Sequence, residues 1–171
     1  GKLLDVKRAR VELPVREAAG GFYVAIDGIE GSGKTTQVEA LAKWLRGMGC
    51  RVLTVREPYT AEVRKIVRER DVDVEAEVLL YVADRIIMQR EFLLPALRGG
   101  AVVVGDRSPY STAAYQSALG YPEELIWALH SRLRMPDVAI ILDVPVDVAL
   151  KRSPPHNKYQ RAELLERVRE N

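Results

Sequence analysis

Cysteine occurs once in this chain of 171 residues, as Cys50. A single thiol forms no intrachain disulfide and no cysteine-based metal site, and beside an apolar run it reads as an inert residue at a strand start. There is no run of about 18 apolar residues, so no stretch of the sequence spans a bilayer as a helix. The opening "GKLLDVKRAR" has neither the apolar core nor the cleavage site of a secretion signal. A cytoplasmic location is the default expectation. A strong charge of one sign is missing too: 26 basic and 24 acidic side chains are interleaved, for a net charge of +2. That balance argues against a broad duplex-binding surface and leaves room for a local basic groove. Asparagine appears twice and glutamine four times, and this scarcity leans toward a heat-adapted protein. The chain has no internal repeats and no low-complexity tract.

What is present is a globular composition, 47% hydrophobic and 29% charged. The length suits one domain with a real core and is short for two. Four runs, "FYVAID" (22–27), "RVLTVR" (51–56), "AVVVG" (101–105) and "DVAIILD" (137–143), are apolar nearly throughout rather than alternating. Strands of a parallel sheet covered on both faces have this pattern. Helical periodicity fills the intervals near 34–47, 60–70, 74–98, 109–119, 122–133 and 146–152, with a last stretch near 159–170. Ser108-Pro109 supplies an N-cap and a first-turn proline, Pro122 opens another helix, and Gly47 and Gly99 close two more. Strand, helix and strand in turn imply right-handed crossovers and a doubly wound parallel α/β sheet with helices on both faces. Residues 1–21 stand apart as an N-terminal extension, with "ARVELPV" as an accessory strand or tail and "REAAGG" as a linker. The single domain occupies 22–171.

The richest motif is "AIDGIEGSGKTT" (25–36). Gly28-x-x-x-x-Gly33-Lys34-Thr35 is a complete phosphate-binding loop, set after a buried strand and opening a helix. Its glycines let backbone N–H groups from Gly28, Ile29, Glu30, Gly31, Ser32 and Gly33 fold around an anion. The helix start at Lys34, Thr35 and Thr36 adds the positive end of its dipole. Lys34 is placed to bridge the β- and γ-phosphates, and the Thr35 hydroxyl to ligate Mg²⁺. "VVVGD" (102–106) ends a strand in an acid, Asp106, as a magnesium site behind the phosphates requires. The chain therefore reads as binding a nucleoside triphosphate with Mg²⁺. This leaves motor, switch, pump subunit and kinase open.

An acceptor pocket is expected beyond the carboxyl ends of the strands. "REPYT" (56–60) puts Glu57 and Pro58 where the second strand leaves the sheet. In "LLYVADR" (79–85), Tyr81 and Arg85 are four apart and share a helix face, a ring beside a forked cation. Leu79, Val82, Ala83 and Ile86 make the adjacent core-facing stripe. In "DRSPYSTAAYQ" (106–116), Arg107 follows the acidic strand end and points into the cleft of the phosphate loop. Ser111 and Tyr115 share one helical face, Thr112 and Gln116 the next, and together they offer hydroxyls, an amide and a ring to a sugar and base.

These motifs resemble the thymidylate kinase family of P-loop nucleoside monophosphate kinases, which pass the γ-phosphate of ATP to dTMP. Family patterns of the form EGxxGxGKTT, REP, LLFYADR, PAL-x-x-G and DRYxxSxxAYQ read here, in order, "DGIEGSGKTT", "REP", "LLYVADR", "PALRGG" and "DRSPYSTAAYQ". The likeness runs from about Phe22 to Asn171. It implies that Tyr81 stacks on thymine and that Arg85 bonds the base edge. Glu57 and Pro58 then stand beside the acceptor, and Arg107 holds its phosphate. Thr112 and Gln116 line the base and sugar, Tyr115 crowds the 2′ position, and Glu30 lies near sugar and metal. It also implies a homodimer acting on small molecules.

The sequence departs from the pattern in three places. "REPYT" lacks the two glycines that many members carry after REP. The loop interior "IEGS" has no arginine, and members of that type carry a basic residue in a lid. Here the lid falls near 152–160, with Arg152 and Lys158 as its catalytic cations and His156 as an exposed loop residue. Members also continue past "LLERVREN" with a strand and helix on the adenine side. Either residues 1–21 supply an edge strand, or the adenine side is open, or the chain is truncated. Two other readings stay open: a deoxynucleoside kinase acting on thymidine, with Glu57 as base, and a catalytically silent nucleotide-binding module.

Overall fold

A computed structural model describes residues 20–152 and 162–171. Its strands are β1 (Phe22–Gly28), β2 (Val52–Arg56), β3 (Val102–Asp106) and β4 (Val138–Leu142). All pair in parallel, in the order β2-β3-β1-β4. In the first register Ile26 lies opposite Asp106. The chain segments that leave β1 and β3 therefore emerge side by side at the carboxyl edge.

The unbroken apolar runs follow from the pleat, which sends neighbouring residues to opposite faces. Ala25 and Val103 face one layer, where Tyr23 and Val55 join Met88, Leu93, Ala96 and Leu97. Ile26 and Val104 face the other, where Val38, Ala42 and Leu45 of α1 (Lys34–Gly47) cover the sheet with Val52. The remaining helices are α2 (Ala61–Glu69), α3 (Val74–Met88), α4 (Leu94–Arg98), α5 (Pro109–Ala118), α6 (Glu123–His130), α7 (Val146–Arg152) and α8 (Ala162–Glu170). Side-chain caps start three of them: Thr60, Asp73 and Ser108 accept from the backbone N–H of Val63, Ala76 and Tyr110. Each such cap contributes about 1 kcal/mol.

Three expectations are corrected. The helix near 74–98 is not continuous, because a π-helical turn at Gln89–Leu93 separates α3 from α4. Pro95 has no N–H for the carbonyl of Glu91 and its ring crowds that carbonyl, which a wider turn accommodates. The stripe Leu79, Val82, Ala83 and Ile86 does not face the core as a unit. Val82 is buried and Ile86 half-buried, but Leu79 is 49% exposed and Ala83 is exposed as well. The fourth strand is not buried on both faces: Val138, Ile140 and Ile141 are 41%, 37% and 61% exposed. An apolar run presumes cover on both sides, and β4 is the outermost strand, paired with β1 alone among the described residues.

Residues 1–19 of the expected extension and 153–161 of the expected lid lie outside the described residues. No helix among the described residues is long and apolar enough to cross a membrane.

Candidate active site

The phosphate loop joins β1 to α1. Gly28, Gly31 and Gly33 have φ of 153°, 80° and 95°, a region that side chains rarely adopt. Gly31 also has no room: a Cβ there would lie 2.2 Å from the Ala149 carbonyl oxygen, so α7 closes the back of the loop. Ile29 anchors the loop in an apolar cluster with Val146, Ala149 and Leu165. Gly33 caps α1 without a side-chain hydrogen bond, and no acid occupies the first turn. The first N–H groups of α1 are thus left to an anion, with Thr35 and Thr36 exposed beside them. The Ser32 hydroxyl is buried with no hydrogen-bond partner among the described residues, as fits a place for a phosphate oxygen.

Lys34 donates to the carbonyls of Gly28 and Ile29 at 2.9 and 2.8 Å. Burial, then the charge of Arg107, lowers its pKa to about 7 against the pull of Asp106 and Glu30. Phosphate oxygens relieve both penalties. Thr35 Oγ1 donates to Asp106 Oδ2 at 2.7 Å. This hydroxyl and carboxylate are hard oxygen donors of the kind Mg²⁺ takes. No group of three or more His, Cys, Asp or Glu among the described residues makes a metal cage. A magnesium ion here would share its coordination with phosphates.

Arg107 has φ of 75°, a left-handed conformation that costs a non-glycine residue about 1–3 kcal/mol. Its N–H donates to the Ile26 carbonyl at 3.0 Å. Its guanidinium carbon sits 5.5 Å from the Tyr115 ring centre. The Tyr115 hydroxyl in turn accepts from the Glu30 N–H, inside the phosphate loop, at 2.7 Å. Burial works to lower the arginine's pKa, but Tyr115, Glu30 and Asp106 outweigh it and keep the guanidinium charged. The expected meeting of Arg107 with the loop is therefore present. Arg152 is exposed at the end of α7, its Nη1 4.0 Å from where a Cβ on Gly33 would lie. It overlooks the loop from the start of the expected lid; Lys158 lies outside the described residues.

On the acceptor side Arg85 is 2% exposed and held by four partners. Its Nε donates to Glu57 Oε1 at 2.5 Å, Nη1 to Thr112 Oγ1 at 2.6 Å, and Nη2 to the Ser108 carbonyl at 2.9 Å. Nη1 also lies 3.0 Å from His130 Nε2. A guanidinium has five N–H groups, so one on Nη2 is not used by these contacts. Tyr81 is half-buried, its ring centre 6.0 Å from the Arg85 guanidinium carbon. Pro58 is half-buried, and its carbonyl accepts from Arg64 at 2.9 Å. Burial pushes the Glu57 carboxyl up to about 7, and Arg85 restrains the rise.

Two expected contacts are spent within the protein. The Ser111 hydroxyl donates to Asp27 Oδ1 at 2.6 Å, and the Gln116 amide to Glu77 Oε2 at 3.3 Å. Asp27, Asp84 and His130 were absent from the sequence-derived set. Asp27 receives the Ser108 N–H and hydroxyl as well as Ser111, at 3.0, 2.6 and 2.6 Å, fastening the segment after β3 to the end of β1. It is an acid at a strand end, the same signal that marked Asp106. Asp84 accepts from the Tyr59 N–H and from the Thr60 N–H and hydroxyl, each at 2.7 Å, and so pins the REP turn to α3. Its only sequence signal was its place beside Arg85. His130 carried none.

Comparison with known proteins agrees with this geometry. A family model described as thymidylate kinase matches residues 26–171. A probable thymidylate kinase of Pyrococcus abyssi is 40% identical over 143 residues, 78% of this chain and 70% of the relative. One from Methanosphaera stadtmanae is 35% identical over 158 residues, 88% of this chain and 81% of the relative. The crystal structure of thymidylate kinase from Ehrlichia chaffeensis superposes with a TM-score of 0.74 at 29% identity, covering 88% of this chain and 83% of that one. The match of the family model to residues 26–171, with relatives of 35–40% identity over most of both chains, shows that the chain belongs to the thymidylate kinase family.

Proposed function

We propose that the cleft passes the γ-phosphoryl group of ATP directly to the 5′-phosphate of dTMP, in line and with Mg²⁺, giving dTDP. The observation that carries this reading is the chain of contacts from Arg107 through Tyr115 to Glu30 in the phosphate loop, which supports assigning Arg107 to the acceptor phosphate. The family match favours it over thymidine as acceptor and over a silent binding module.

Such transfer needs little covalent chemistry from the protein, only alignment and charge. The loop amides and Lys34 hold the β- and γ-phosphates. Arg107 holds the acceptor phosphate and the charge that develops between the two groups. Arg152 closes over the donor from α7, with Lys158 assigned to the same lid. Thr35, with Asp106 behind it, would hold Mg²⁺, which would supply neutralisation of phosphate charge. Tyr81 stacks on the base, Arg85 meets its edge, and Tyr115 and Thr112 border the sugar. We assign the protein to the cytoplasm, where ATP is supplied.

We also propose a homodimer. Leu79, Ala83 and Ile87 form an exposed stripe on α3, and Leu125 and Leu129 are exposed on α6, which packs against α3. A twin subunit would cover these apolar groups.

ADP release with ATP and Mg²⁺ should be fast with dTMP and slow with thymidine, AMP and CMP. Arg107→Ala should lower turnover by about 10²–10³-fold while ATP still binds; full turnover would remove Arg107 from its role. Lys34 gives a pH signature. Burial and Arg107 lower its pKa to about 7, and phosphates beside it would raise it. Binding at about pH 8 should therefore take up close to one proton, and below about pH 6 almost none, with affinity falling as pH rises through 7. Calorimetry in buffers of different ionisation enthalpy reads this directly, and Lys34→Gln should abolish it. Sedimentation equilibrium should give twice the chain mass, and Leu79→Glu with Leu125→Glu should give the monomer.

A further inference from the structure

Arg85 is surrounded by acceptors of three kinds: a carboxylate, a hydroxyl and a carbonyl. The fourth partner, His130, is of a different nature, because an imidazole nitrogen accepts or donates according to its tautomer. Its two neighbours fix that choice. Nδ1 lies 2.7 Å from the Ile126 carbonyl, which only accepts, so Nδ1 carries the hydrogen. Nε2 is then a lone pair, and it faces a guanidinium that only donates. The ring is 2% exposed and meets Trp127 edge-on at 6.3 Å between centres. Burial and the charge of Arg85 lower its pKa to about 4, which keeps it neutral at pH 7.

We propose that His130 is a positioning residue for base recognition: through Nε2 it takes the second hydrogen of Arg85 Nη1, so that a single Nη2 hydrogen is left for the edge of the base. This rests on the reading of Arg85 as the base-edge contact. Thr112 and His130 together occupy both hydrogens of Nη1, Glu57 occupies Nε, and Ser108 takes one hydrogen of Nη2. One donor in a fixed direction suits a ring carbonyl. An exocyclic amino group at the same place meets it donor to donor. Without the imidazole acceptor, Nη1 gains a spare hydrogen, the guanidinium is held by three contacts in place of four, and both affinity and carbonyl-over-amino selectivity fall.

The test compares His130→Asn, whose short amide reaches only the Ile126 side, with His130→Gln, whose longer amide places an oxygen near the Nε2 position. His130→Asn should raise KM for dTMP about tenfold, the loss of one hydrogen bond to a charged group. It should leave KM for ATP unchanged and narrow the preference for dTMP over 5-methyl-dCMP. His130→Gln should restore most of both. Equal behaviour of the two variants, or parallel rises in KM for ATP and dTMP, would overturn the role. Arg85→Lys separates the two layers. An unchanged KM for dTMP in that variant defeats the base-edge reading and this inference with it. A raised KM there, with His130→Asn like the wild type, defeats the His130 role alone. Should His130→Asn fail to fold, ring nitrogen NMR of the unmodified protein decides. The Nδ1–H tautomer, with an Nε2 signal that moves on adding dTMP and not a non-hydrolysable ATP analogue, supports the role. The Nε2–H tautomer, or a signal indifferent to dTMP, overturns it.

Discussion

The parallel pairing of β1 with β3 is the constraint on which the site depends. Ile26 opposite Asp106 brings the two strand ends to the same level, so the phosphate loop and Arg107 leave the sheet as neighbours. Asp27 then locks the arrangement, since one buried carboxylate takes three hydrogen bonds from the turn after β3. A hydrogen bond to a charged group contributes about 1.5–3 kcal/mol. That is enough to hold the left-handed backbone of Arg107 in place. A second carboxylate, Asp84, does the same for the REP turn. Strand ends supply the positions, and acids behind them remove the freedom of the loops.

The cleft stores electrostatic work. Lys34 and Arg107 repel each other, and burial strips both of water. Lys34 folds back on the carbonyls of Gly28 and Ile29, and burial with the charge of Arg107 depresses its pKa. A negatively charged phosphate beside these two cations would offset both costs. The acceptor end follows a different rule. Glu57 and Arg85 form a buried ion pair, whose desolvation outweighs simple attraction unless the remaining donors are satisfied. Thr112, His130 and Ser108 take three of the four remaining guanidinium hydrogens, which holds the pair in one orientation, while one Nη2 hydrogen stays outside these contacts and the buried Glu57 Oε2 has no hydrogen-bond partner among the described residues.

The phosphate loop, Asp106, Arg107 and the pairing of Tyr81 with Arg85 were legible because each is local: a spacing, a strand end or one helical turn. The sheet was legible from its apolar runs for the same reason. Long-range closure was not. "AIIL" looks the same whether a strand is central or outermost, so the exposure of Ile141 could not be read from it. Leu79 fits a core-facing stripe by spacing, but which side of α3 is buried is set by α5 and α6, elements distant in sequence. Ser111 was read as a sugar contact because its hydroxyl shares a face with Tyr115, and the partner that claims it stands 84 residues earlier. His130 lies 45 residues from Arg85 with no motif around it.

The central claim is that donor loop and acceptor pocket open into one cleft. A single molecule spanning both tests it most directly: adenosine and thymidine joined 5′ to 5′ through five phosphates. Titrated by calorimetry, it should bind one per chain, far more tightly than ATP or dTMP alone, and expel both from the protein. Affinity no better than that of ADP, with dTMP still bound beside it, would mean that the two sites do not meet.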